Sequence, residues 1–231
     1  MSLLESVKEA AAKPLTNQDG EPEPLRLEPA LSSARIDELE RRLPCAIPAD
    51  VRELLGLCSG FTGPGVDFVD FTGEMCAFEH LEVFPRGHPI AADGYGNFWV
   101  VDLWPQSRHW GPIYFACHDA PVILYQSTGL DEFLSELFKC GSAPHKSKID
   151  DVHEDRLFQV WRKNPGVKEH AECLASPDPE LCAFAAQLGP RFQFVDMRAA
   201  PVGYGFSWGR YGPRTVVKRH GALPIFAYER R

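Results

Sequence analysis

The sequence predicts an α+β protein. Three observations carry that expectation. Helical apolar spacing recurs in three stretches of the first 58 residues, then gives way to short period-two or continuous apolar runs, and a strongly amphipathic helical stretch follows them. Twenty prolines and nineteen glycines exceed what a helical bundle would tolerate, so many turns and a sheet are expected. The 231 residues are 44% hydrophobic and 24% charged, which excludes a largely disordered chain and suffices for one large domain or two modest ones.

Ser2-Leu3-Leu4-Glu5 fits a capping box, and Leu4, Val7, Ala10 and Ala11 continue at helical spacing. Residues 14–30, with four prolines and Asp19-Gly20, read as an irregular connection. A second helix begins near Ser32 or Ser33, buries Ile36, Leu39 and Leu43, and stops at Pro44. Pro48 suits the first turn of a third helix, whose buried stripe is Val51, Leu54, Leu55 and Cys58, with Gly60 as its left-handed stop. Expected strands are Asp67–Phe71, Leu81–Phe84, Phe98–Leu103, Ile113–Cys117 and Val122–Gln126. Asp93-Gly94-Tyr95-Gly96-Asn97 and His118-Asp119-Ala120-Pro121 read as turns between them. Thr128 and Asp131 open a helix with Leu130, Phe133, Leu134, Leu137 and Phe138 on its apolar face, closed by Gly141.

Residues 141–149 read as a linker. Beyond it, Leu157, Val160 and Trp161 predict a helix ending before Asn164-Pro165-Gly166. Asp178-Pro179 predicts an N-cap and first turn ahead of Leu181, Phe184, Ala185 and Leu188, with Gly189 as the stop. Strands are expected at Phe192–Met197, Arg214–Arg219 and Pro224–Tyr228. The aromatic stretch from Pro201 to Pro213, with Tyr204, Phe206, Trp208 and Tyr211, is expected to plug its own domain rather than form a binding loop. The expected organisation is an N-terminal helix and connection (1–30), an α+β domain (31–146) and an α+β extension or small second domain (147–231). Core residues of the middle unit are expected to include Val51, Leu54, Leu55, Phe98, Val100, Ile113, Phe115, Ile123, Phe133 and Leu137.

Charge is unevenly placed. Residues 1–140 carry 10 Lys+Arg against 22 Asp+Glu, and residues 141–231 carry 14 against 10, within a formal net charge of -8. That acidity disfavours direct nucleic-acid binding. No apolar run approaches the roughly 20 residues of a bilayer span, and no secretion signal is evident. Seven cysteines, an odd number with no C-x-x-C pair, are expected to be buried thiols of a cytoplasmic protein.

Chemistry motifs are sparse. Gly56-Leu57-Cys58-Ser59-Gly60 spells a thiol version of the nucleophile elbow, which keeps a thiol hydrolase using Cys58 as the enzyme alternative. The motif, however, follows a helical stripe rather than a strand. None of the eight histidines forms H-E-x-x-H or H-x-H, and Cys117-His118-Asp119 is adjacent in a strand and points both ways. Gly94-Tyr95-Gly96 and Gly203-Tyr204-Gly205 complete no phosphate-binding motif. No catalytic set, metal site or cofactor is expected.

The features of residues 33–139, in their order, resemble the SUKH superfamily, which includes the fungal cell-wall-synthesis regulator and bacterial immunity proteins. The resemblance rests on Ile36-Asp37-Glu38-Leu39-Glu40, Ile47 to Leu55, Ser59-Gly60, Ala92 to Asn97, Val100-Val101-Asp102-Leu103, Gly111-Pro112-Ile113-Tyr114, His118-Asp119 and Leu130 to Leu134. It implies a mixed, mainly antiparallel sheet with helices packed to one side, and a binding module without catalytic residues. It further implies an immunity protein that occludes a cognate toxin, often a nuclease. A basic toxin domain is the expected partner, since an acidic surface can mimic the phosphate such an enzyme meets. A cytosolic interaction scaffold without a toxin is the alternative.

Between Phe61 and Tyr125 stand eight acidic residues and two basic ones, interleaved with aromatics. Interfaces concentrate energy in aromatic anchors and use surrounding charge for steering. The turn-borne or strand-end candidates for a partner-binding surface on one side of the sheet are Asp67, Asp70, Glu74, Asp93, Tyr95, Trp104 and Trp110.

Overall fold

The computed structural model describes residues 2–75, 81–117, 121–208 and 215–230. Its architecture is α+β, in four layers: helices, a large sheet, a small sheet and helices again.

The large sheet has eight strands in the order β1-β2-β3-β4-β5-β6-β7-β10. These are β1 (Arg26–Leu27), β2 (Gly60–Gly63), β3 (Val66–Asp70), β4 (Gly87–Ala92), β5 (Phe98–Asp102), β6 (Ile113–Cys117), β7 (Val122–Ser127) and β10 (Gly205–Ser207). Every described pairing is antiparallel, where the resemblance implies a mixed sheet. Successive side chains of a strand point to opposite faces, so each central strand serves two cores. On one face Trp99, Val101, Phe115 and Leu124 meet the helices α1 (Leu3–Ala12), α2 (Ser33–Arg42), α3 (Ala49–Leu55) and α4 (Leu130–Cys140). On the other, Val100, Tyr114, Ala116 and Ile123 meet a second sheet.

That second sheet has the order β11-β12-β9-β8, with β8 (Lys168–Glu169), β9 (Phe192–Asp196), β11 (Val217–Arg219) and β12 (Ile225–Glu229). Val195, Phe226 and Tyr228 face the large sheet. Phe194, Ile225 and Ala227 face outward onto α7 (His170–Leu174) and α8 (Pro179–Ala186). Residues 147–231 therefore serve both units. β10 extends the large sheet by pairing with β7, and Ile149, Val152, Leu157 and Val160 join the helix-side core. Ser147 caps the short helix α5 (Lys148–Asp150), which runs through a π-helical segment, Asp151–Arg156, into α6 (Leu157–Lys163).

The two sheets are pinned by a buried ion pair. Arg219 and Asp102 are only 4% and 3% exposed, and the guanidinium donates to both carboxylate oxygens at 3.1 and 2.5 Å. Arg219 also donates to the carbonyls of Val83 and Ala222, and lies over the rings of Phe84, Trp104 and Phe226. Burial pushes the Asp102 carboxyl up, with the Arg219 charge pulling against it.

Several local expectations change. Leu81–Phe84 is a turn, not a strand. Val83 and Phe84 are buried against the second sheet, so the apolar run reflects that packing. The strand instead lies at Gly87–Ala92, hidden from propensity by Pro89, which sits where the register to β5 shifts. Gly60 does not stop a helix: α3 ends at Gly56, and Gly60 opens β2 where a Cβ would meet the Val69 carbonyl oxygen at 2.1 Å. Pro48 stands at the N-cap of α3 rather than inside its first turn. Gly129 caps α4, with Glu132 reaching back to Thr128. Nine of the ten expected core residues are buried and Phe98 is half-buried. Val100 and Ile123, however, face the second sheet rather than the helices. Phe206 and Trp208 are buried, as a plug requires. The His118-Asp119-Ala120 turn, Cys76, Tyr211 and Arg214 lie outside the described residues.

Candidate partner-binding surface

The β4–β5 turn is built by one carboxylate. Asp93 Oδ1 accepts from the amides of Tyr95 at 2.8 Å and Asn97 at 3.1 Å, and Oδ2 accepts from Asn97 Nδ2 at 2.6 Å. Gly94 and Gly96 take φ of 77° and 87°, which the alternation of glycines permits. The result holds Tyr95 at the tip, 78% exposed. Asp93 itself turns inward and also accepts from His153 Nε2 at 3.0 Å. Its burial works against ionisation, but the bonds from His153, Asn97 and Tyr95 outweigh it and hold the carboxyl down to about 2. His153 packs against the rings of Trp99 and Phe115, so the turn is tied to the core through the π-helical segment.

Exposed groups gather around this anchor. A Cβ on Gly94 would lie 3.3 Å from Asp67 Cγ, which places the exposed Asp67 against the turn. The π-helical segment exposes Asp151, Glu154 and Asp155 beside His153. On α6, Phe158 and Trp161 are one turn apart and both remain about half exposed. The β4–β5 turn therefore combines carboxylates with the exposed Tyr95 ring, and α6 adds two half-exposed rings that follow the π-helical segment in the chain.

Of the seven candidates, the structure brings together Asp67, Asp93 and Tyr95. Asp70 is buried as a turn cap, accepting from the Thr72 amide and hydroxyl and from the Met75 amide. Glu74 is exposed but lies elsewhere, bonded to Arg42 at 2.7 Å and Arg35 at 3.5 Å. Trp104 is half-buried between Arg86 and Arg219, with Nε1 donating to Asp102. Trp110 is 2% exposed and stacks edge-on to His88, so it is a core residue and no anchor. The flat face expected on one side of the sheet is covered by the second sheet, which leaves the turn end open instead. Glu154 and Phe158 were not expected. Their signal was that both fall off the Leu157/Val160 stripe, and Trp161, expected on that stripe, is turned partly to solvent.

Cys58 is fully buried, and burial pushes its thiol up to about 11. Its motif joins a helix to a strand, the reverse of an elbow, so the hydrolase alternative loses its nucleophile. None of the six cysteines among the described residues is in a disulfide. Among the described residues no cluster of His, Cys, Asp or Glu could hold a metal ion, and no helix is long and apolar enough to cross a membrane.

An antiparallel sheet with helices on one face and a hydrogen-bonded turn at its end defines an α+β module. Residues 30–136 match the family model of the SMI1 / KNR4 family (SUKH-1), so this segment belongs to the SUKH superfamily. The match runs from just before α2 to most of α4, and omits α1, β1, β10 and the whole second sheet. No curated protein and no solved structure gives a significant match.

Proposed function

We propose that the protein is a non-enzymatic, protein-binding module of the immunity type, which neutralises a cognate toxin by occluding a basic surface of it. The observation that carries this reading is the turn end of the SUKH sheet. There Tyr95 stands exposed on a turn fixed by four hydrogen bonds to Asp93, with Asp67 beside it and the acidic π-helical segment next to it. A rigid aromatic loses little side-chain entropy on docking, and the carboxylates steer a cationic partner toward it. The SUKH assignment supports the same reading, because immunity proteins are among the superfamily's members.

The test is growth rescue. Co-expression with a toxic polypeptide encoded beside this chain should restore growth. A Tyr95→Ala/Asp67→Lys chain, expressed to the same level, should rescue poorly. Equal rescue by both chains would place the interface elsewhere, and no rescue of any such toxin would leave the scaffold reading in its place.

A further inference from the structure

We propose that the cleft between α2 and the start of β4 is a binding site for a small oxyanion, a phosphate or carboxylate carried on an apolar body. Nothing in this proposal depends on the partner surface, which lies at the Asp93 turn.

The cleft has a volume of about 480 Å³, within the range of small-ligand pockets. Leu39, Leu43, Pro44 and Pro85 form an apolar wall, and Arg42, Arg86, Thr72 and His88 supply the polar groups. Among the described residues no carboxylate lines it, in a chain whose net charge is -8. The two arginines come from different elements, Arg42 from the last turn of α2 and Arg86 from the residues just before β4, and so face the cleft from two sides. Arg42 gives one nitrogen to Glu74, which Arg35 shares. Arg86 has no carboxylate partner among the described residues; its guanidinium rests 5.7 Å from the Trp104 ring centre. A guanidinium held over a ring, with no carboxylate partner among the described residues, is pre-oriented to meet an oxyanion in a bidentate way.

The floor is prepared as well. His88 is buried, and its Nε2 donates to the Phe71 carbonyl at 2.9 Å, so its neutral Nδ1 is an acceptor. Desolvation keeps the imidazole neutral. The imidazole in the lining is thus uncharged, and the two guanidinium groups supply the positive charge that an oxyanion would meet. Behind His88, Trp110 Nε1 is buried without a partner among the described residues. Buried polar groups are rarely left unpaired in a purely structural region.

The Trp110 and Trp104 rings flank the cleft through His88 and Arg86, so intrinsic fluorescence reports occupancy. The full chain is titrated with inorganic phosphate, phenyl phosphate and benzoate. Saturable quenching is expected for at least one of the two aromatic acids, at lower concentration than for inorganic phosphate. Phenyl phosphate binding ahead of benzoate assigns a phosphate, and the reverse order a carboxylate. Arg86→Gln and Arg42→Gln, both at exposed positions, should each weaken binding by about tenfold or more. Arg41→Gln, on the same helix but outside the lining, should leave it unchanged. Absence of saturation up to about 10 mM for all three probes, a concentration far above any specific affinity, overturns the proposal. So does binding that Arg86→Gln and Arg42→Gln leave intact.

Discussion

Replacing Arg219 by Met isolates what the second sheet contributes. The change removes two charge-assisted hydrogen bonds to Asp102 and leaves the carbonyls of Val83 and Ala222 without a donor. Charge-assisted bonds contribute roughly 1.5–3 kcal/mol each, so two amount to about 3–6. Breaking a buried pair from one side costs about 3–5 kcal/mol by independent reckoning. We expect Arg219→Met to lose about 3–5 kcal/mol, a large share of the roughly 5–15 kcal/mol that holds a domain. Asp102→Leu/Arg219→Met removes both charges and should lose less than either single change, about 1–3 kcal/mol. Burial already raises the Asp102 carboxyl, and loss of its cation raises it further. A raised acid favours the folded state below its unfolded value near 4 and withdraws that support as pH rises, so Arg219→Met should cost more at about pH 7 than at about pH 4. Urea unfolding of the three variants, completed as a double-mutant cycle, reads these energies. Single variants within about 1 kcal/mol of the parent, or a double variant equal to the sum of the singles, would refute the pinning role.

The other expectations concern the turn end and the thiols. Asp93 is held down to about 2, against an unfolded value near 4, so its contribution is present above about pH 4 and lost as pH falls toward 2. The stability gap between the parent and Asp93→Asn should narrow by about 1–2 kcal/mol between pH 5 and pH 2.5, after allowance for solvent near the turn; a constant gap in urea unfolding would count against the Asp93–His153 anchor. Tyr95→Ala should leave thermal stability within about 0.5 kcal/mol of the parent, whereas Trp110→Ala should cost about 3–5 kcal/mol, since only the second ring is in the core. Cys58, pushed up to about 11, should resist thiol labelling in native protein at pH 8 and react only after unfolding; rapid native labelling would reopen the hydrolase reading.

Elements with a complete local signal were legible in the sequence. Asp178-Pro179 caps α8 through bonds from the Glu180 and Leu181 amides, and Ser2 and Ser32 cap α1 and α2 as their spacing announces. The Asp93–Asn97 turn carries its own chemistry in five residues. What escaped was settled at long range. β4 contains a proline that propensity rejects and a register shift accommodates. Gly60 looks like a helix stop, and only contact with β3 shows why glycine is needed. Trp104 reads as a surface candidate because the Arg219 that covers its ring, and bonds Asp102 from 117 residues away, has no local signal. The same distance effect hid the cover over the large sheet, and with it the reason why the open surface lies at the turns. Asp67 and Tyr95 were legible as exposed residues because turns and strand ends stay exposed whatever covers the faces.

The central claim is that a partner docks on the turn end while the sheet face stays sealed by the second sheet. Amide hydrogen exchange of the full chain, with and without a toxin that the rescue test identifies, tests this most directly. The account predicts added protection at residues 93–97 and 151–161, with exchange in β6, β7 and β12 unchanged. Protection confined to other segments, or faster exchange in β11 and β12 as the second sheet lifts away to admit the partner, would contradict it.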